Sequence, residues 1–170
     1  HVSRVMWGYL FGAYKKNSLN RDELEKFNVA EEKMEALIDL GSWEKLVSEW
    51  VDNSEQWFNP QDFNLKQDYF YLLFYALGDK AGKKFPEVAE AISELLKAWE
   101  SEDTNVRKLW EMIVTQSLSG QEKTYNRIKS RHDYIWYESD LYAEGKHLVE
   151  KGLEKGVFRK SEGAVVTNWA

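Results

Sequence analysis

The sequence predicts a mainly α protein, with about six helices over residues 1–130 and a small α/β edge over residues 131–170. Three observations predict it. Apolar residues recur at helical spacing through the first three-quarters of the chain. Helix start and stop signals punctuate that stretch at intervals of one to two dozen residues. After Asp133 the pattern changes to a β-prone aromatic run and two short apolar segments around a polar loop.

The elements follow in order. From Val2 to Lys15, Val5, Met6, Leu10, Ala13 and Tyr14 form a helical stripe with Trp7 and Phe11 beside it, and Asn17-Ser18-Leu19-Asn20 breaks it. Asn28 with Glu31 three residues on has the spacing of a capping box, opening a short helix through Met34, Leu37 and Ile38. Gly41 ends that helix and Ser42 caps the next, where Trp43, Leu46, Val47 and Trp50 share a face. Asp52 to Phe63 is polar, contains Asn59-Pro60 and reads as a loop. Tyr69 to Leu77 is apolar all round, a buried helix ended by Gly78, with a buried strand as the alternative that its aromatics leave open. Pro86 suits the first position of a helix striped by Val88, Ile92, Leu95 and Trp99. Asp103 or Thr104 caps a long last helix in which Trp110 and Ile113 face the core, and which runs toward Tyr125 and Ile128. Gly120 interrupts it, which implies a kink or a close contact, because a mid-helix glycine costs about 1 kcal/mol relative to alanine. Beyond Asp133, Tyr134-Ile135-Trp136-Tyr137 has strand propensity, Asp140 caps a helix carrying Leu141, Leu148 and Val149 that ends near Gly152, and Val157-Phe158 with Ala164–Thr167 forms a hairpin across Lys160–Gly163.

Composition narrows the chemistry. Hydrophobic residues at 43% and charged residues at 31% describe an ordinary globular protein, whereas eight tryptophans are many and call for a packed aromatic core or an aromatic interface. The absence of cysteine excludes a disulfide framework, a thiolate zinc site and a cysteine nucleophile, and fits a cytoplasmic location. The start of the chain lacks the apolar core of a signal peptide, and the most apolar run, Tyr69 to Leu77, is far shorter than the roughly 20 residues of a bilayer span, so no membrane partner is expected. The net charge of −6 disfavours a dedicated nucleic-acid binder. The charge is uneven, with 14 basic against 21 acidic residues over 1–120 and 9 against 8 over 121–170, so a phosphate-facing surface belongs in the C-terminal third.

Several segments together resemble the insertion that splits the catalytic domain of arginyl-tRNA synthetases, the archaeal-type class I enzymes in particular. Val2-Ser3-Arg4-Val5-Met6-Trp7-Gly8-Tyr9-Leu10 is similar to a Trp-Gly-Tyr-Leu helix of that family, and Gly120–Arg127 to its Gly…Thr-Leu-x-Arg helix, with Tyr125 in place of the commoner leucine. His132-Asp133, Trp136-Tyr137-Glu138-Ser139-Asp140, Glu154-Lys155-Gly156 and Glu162-Gly163-Ala164 follow in the family's order, with His132 departing from phenylalanine. The resemblance covers residues 1–14 and 117–166; residues 17–100 carry no matching motif. It implies a parent enzyme that joins arginine to tRNA with ATP and Mg²⁺, in which this connective piece separates the two halves of the nucleotide fold, walls the active site and guides the acceptor end. Its partners would be tRNA and the remainder of the synthetase chain.

The family's phosphate-handling His-x-Gly-His and Lys-Met-Ser-Lys motifs do not occur here, so the segment is expected to be inactive alone and to bind no cofactor itself. His1, His132 and His147 lack ligand spacing, so no metal site is expected. Ser139 lacks a nucleophile elbow and reads instead as part of a structural corner, Glu138-Ser139-Asp140, in which Glu138 is a buried carboxylate ordering a strand–helix junction. The candidates for the tRNA acceptor end are Lys123, Arg127, Lys129 and Arg131, together with one ring of the pair Trp136 and Tyr137, which a strand would point to opposite faces. The competing reading is a free-standing helical protein-interaction domain, with the basic residues a solvated helix end and the aromatics mostly core.

Overall fold

A computed structural model describes residues 2–16 and 19–167. Those residues form eight α-helices and one two-stranded sheet, divided into two units, residues 1–129 and 130–170. The first unit holds α1 (Val2–Gly12), α2 (Arg21–Glu25), α3 (Glu31–Ile38), α4 (Trp43–Asn53), α5 (Gln67–Lys84), α6 (Pro86–Glu100) and α7 (Thr104–Ile128). The second holds α8 (Glu138–Glu154) and the antiparallel strands β1 (Phe158–Ser161) and β2 (Ala164–Thr167).

The first unit is built on α1 against α5. A Cβ added at Gly8 would lie 2.0 Å from the Phe74 carbonyl oxygen, and one added at Gly78 would lie 2.2 Å from that of Arg4, so the two backbones touch where these glycines meet. Gly78 therefore sits inside α5, which continues to Lys84, instead of ending it. The glycine is needed for the close approach of a neighbouring helix, a use that local pattern does not distinguish from a stop signal. Nor is α5 apolar on every side. Phe70, Tyr71, Leu73, Phe74, Leu77 and Ala81 are buried, while Tyr69 and Leu72 are exposed. Around Tyr9 of α1, the rings of Phe70, Tyr71 and Phe74 pack edge-on with centroids 5.7–6.4 Å away, the geometry that ring quadrupoles favour.

Helices α6 and α7 close this core as their stripes require. Val88, Ile92, Leu95 and Trp99 are buried on α6, and Val106, Leu109 and Ile113 on α7. Trp110 is half-buried, its ring 5.3 Å from that of Trp99. Asp103 caps α7 through Oδ1, which accepts from the backbone N–H groups of Asn105 and Val106. Tyr71 donates its hydroxyl to Gln116 Oε1 at 3.1 Å, tying α5 to α7, and burial pushes its pKa well above the usual phenol range. Gly120 leaves α7 unbroken to Ile128; its role is contact, since a Cβ there would lie 2.5 Å from the Asp68 backbone nitrogen.

One capping box occurs at a different place from the expected one. Asn20 Oδ1 accepts from Glu23 N, and Glu23 Oε2 accepts from Asn20 N, opening the short α2 that sequence pattern alone missed. Asn28 instead belongs to the exit from α2: its N–H donates to the Glu23 carbonyl across Phe27, which is left-handed at φ 51°. Helix α3 begins at Glu31, and its N-cap residue, Ala30, supplies no side-chain cap. Ser42 does cap α4, its Oγ accepting from Lys45 N.

Two expectations for the second unit are corrected. Tyr134–Tyr137 forms no strand; it is irregular up to Tyr137, whose own backbone is extended at φ −99° and ψ 133°. Helix α8 starts at Glu138, capped by the backbone of Tyr137, so Asp140 lies in its first turn, and the helix continues past Gly152 to Glu154. The hairpin forms with a tighter turn than predicted. Glu162 and Gly163 both have positive φ, 49° and 81°, as a two-residue type I′ turn demands.

Gly78→Ala is expected to destabilise the chain by roughly 1–3 kcal/mol, the cost of overpacking a rigid contact. A thermal melt beside the unsubstituted chain measures it, and an unchanged midpoint would mean that α1 and α5 do not touch at Gly78.

Candidate functional site

Each unit presents one candidate surface. In the first, it is the C-terminal end of α7. Lys123, Arg127 and Lys129 are all exposed there. Lys123 Nζ donates to Gln67 Oε1 at 2.9 Å, and Lys66 Nζ bonds Thr124 Oγ1 while pairing with Asp68 Oδ2 at 3.0 Å. The start of α5 thus clasps the last turns of α7, with Gly120 giving the close approach. Lys129 ends the helix in the left-handed conformation at φ 57°, its N–H donating to the carbonyls of Asn126 and Tyr125. Cations in this last turn also complement the helix dipole. Lys66, which sequence reasoning passed over, adds a fourth cation; the signal for it was only its position at the start of the next buried helix.

In the second unit, Arg131, His132 and the run to Tyr137 are exposed. Tyr134 and Trp136 stack, centroids 5.6 Å apart with planes 25° from parallel, and are 75% and 71% exposed. Tyr137 is 41% exposed. The ring that stacks on Trp136 is Tyr134, two residues back.

Glu138 is corrected: it is exposed, not buried, and there is no strand–helix corner for it to order. Glu138 and Asp140 occupy the first turn of α8, where carboxylates complement the positive end of the helix dipole. Ser139 donates its hydroxyl to Asp140 Oδ1 at 3.3 Å and has no histidine base beside it in the chain.

A cleft of about 410 Å³ lies elsewhere in the first unit, lined by Trp7, Phe11 and Trp43 and by Glu44, Glu87, Glu90 and Glu94. Trp43 Nε1 donates to Glu94 Oε2 at 2.9 Å. Four carboxylates make this cleft unsuited to phosphate groups. Among the described residues, no group of three or more His, Cys, Asp or Glu is placed to hold a metal ion. No helix of the described residues is long and apolar enough to cross a membrane.

Because Trp136 is exposed and Trp7 is 1% exposed, their truncations should differ. Trp136→Ala is expected to stay within about 0.5 kcal/mol of the parent chain, and Trp7→Ala to lose roughly 3–5 kcal/mol. Denaturant unfolding of the two variants compares them; equal losses would place Trp136 in a packed environment.

Comparison with known proteins gives the context for these surfaces. No family model and no solved structure matches the chain. The whole chain aligns with an arginine–tRNA ligase of Parabacteroides distasonis at 32% identity, covering 30% of that ligase. Parts of it align with arginine–tRNA ligases of Bacteroides thetaiotaomicron, at 44% identity over 47% of the chain and 15% of the ligase, and of Treponema pallidum, at 35% over 61% and 18%. The chain spans less than a third of the length of the curated relatives it matches. It belongs to the arginine–tRNA ligase family and corresponds to one segment of such an enzyme.

Proposed function

We propose that the parent protein attaches arginine to tRNA in the cytoplasm, using ATP and Mg²⁺, and that this segment is the insertion between the two halves of its nucleotide fold. There it walls the active site and guides the tRNA acceptor end, and the chemistry belongs to the remainder of the chain. The observation that carries this reading is the alignment of the entire chain with less than a third of a ligase. That same alignment leaves the free-standing interaction domain without support. The missing phosphate-handling motifs favour a guiding role over a catalytic one.

The residues assigned to the acceptor end are Lys123, Arg127, Lys129 and Arg131, with Trp136 and Tyr137. Exposed cations on the last turns of α7 suit phosphates, and Trp136, the more exposed of the two rings, suits a terminal base. Tyr137 offers less of its face.

Two measurements test the proposal. Purified 1–170 is expected to give no arginine-dependent ATP–pyrophosphate exchange with tRNA present; turnover above a blank overturns the non-catalytic role. In the full-length ligase, Arg127→Glu with Arg131→Glu is expected to weaken tRNA binding and to flatten its salt dependence by roughly 0.7–0.9 in log–log slope for each phosphate no longer neutralised. An unchanged slope, with an unchanged melting curve, removes these residues from the tRNA surface.

A further inference from the structure

The cleft within the first unit has mostly apolar walls. Trp7, Phe11, Ile38, Trp43, Val88 and Ala91 line it, drawn from α1, α3, α4 and α6, and its volume of about 410 Å³ is that of a small-molecule site. Its exposed side chains carry charge of one sign. Glu87, Glu90 and Glu94 follow one another at i, i+3 and i+7 along α6, and Glu44 belongs to α4.

Helix dipoles account for Glu44 and Glu87, which lie in first turns. They do not account for Glu90 and Glu94, and like charges three and four positions apart weaken a helix. Other carboxylates of this unit are paired: Asp79 with Arg4 and Lys83, Glu23 with Lys33, Glu25 with Arg21 and Glu31 with Lys84. Among the described residues of the unit, no cation pairs with the glutamates of the cleft or lines it. Lys45, next in sequence to Glu44, donates its ammonium to the Leu40 carbonyl instead. Trp43 is held in place by its bond to Glu94, and indole is the ring that best takes a cation over its face.

We propose that this cleft binds a linear polyamine. The occupant follows from charge and shape. A zwitterion, free arginine included, brings a carboxylate that finds no cation among the lining residues. A polyamine brings only ammonium groups, which meet the glutamates, and methylene spacers, which cover Val88, Ala91 and Trp43. Along α6 the three glutamates are separated by roughly 4.5 and 6 Å of helix rise, a spacing that three- and four-carbon spacers between ammonium groups can follow.

Titration of the 170-residue chain with spermidine at constant ionic strength tests it, read by calorimetry and by the Trp43 indole N–H resonance. One saturable site is expected, with the Trp43 signal shifting as it fills. Glu90→Gln is expected to weaken binding about ten-fold, the loss of one charged contact. It is not expected to lower the melting temperature, because it removes like-charge repulsion on α6. Glu111→Gln, which removes the same charge outside the cleft, is expected to leave the affinity unchanged. The absence of a saturable site overturns the proposal. Equal weakening by the two substitutions also overturns it, in favour of general attraction to an acidic chain. An equal shift of the Trp43 signal by Mg²⁺ or by arginine at the same concentration overturns it in favour of an unselective cation surface. Binding of an oligolysine peptide without binding of spermidine overturns it in favour of a protein partner.

Discussion

The first unit depends on the backbone contact between α1 and α5. Gly8 and Gly78 let two helices touch main chain to main chain, and everything else in the unit is arranged around that crossing. Close approach brings Tyr9 within reach of Phe70, Tyr71 and Phe74 together, so one tyrosine meets three aromatic rings of a single helix. It also explains how so many large side chains pack without strain: the bulk lies beside the crossing point, where room exists, and not at it. Helices α6 and α7 then cover the flanks, and Tyr71 links α5 to α7 through Gln116.

The helical stripes were legible because packing requires them. Trp43–Trp50, Val88–Trp99 and Val106–Ile113 have the spacing of one buried face, and the helices that carry them formed as read. Glycines were the least legible residues. Gly41 lies in the turn beyond α3, whose C-cap is Asp39, while Gly78 and Gly120 each lie within a helix because a neighbour's backbone needs the space. Sequence supplies no neighbour, so the two uses look alike. Asn20 and Asn28 pose the same problem: both have a glutamate three residues on, and the left-handed Phe27, an unusual residue for that conformation, decides which of them caps. At the candidate surfaces, the basic residues were legible as charge, but their anchoring through Lys66 and Gln67 comes from the start of a helix 56 to 58 residues earlier in the chain. The burial of Glu138 was inferred from a strand that does not form without a partner.

Charge divides the first unit by position. Carboxylates crowd the cleft beside Trp43, whereas the cations gather at the end of α7, where Lys123 donates to Gln67 and Lys66 to Thr124. A polyanion entering this field is repelled from one surface and drawn to the other. A chain with a net negative charge can therefore present a local phosphate-facing surface, and its overall charge is a poor guide to what it meets.

The loop after α4 completes α1. Trp57 donates its indole N–H to the Leu10 carbonyl at 2.9 Å, and the Phe58 N–H donates to the Ala13 carbonyl at 3.0 Å. Those carbonyls lie at the C-terminal end of α1, where a helix has no donors of its own to satisfy them. A residue 47 positions downstream thus helps to provide the terminus of the first helix. Folding order follows from this. The end of α1 stays open until the loop has packed against it, so this helix is completed as a long-range event, and a piece of the unit that stops short of Phe58 contains no finished α1.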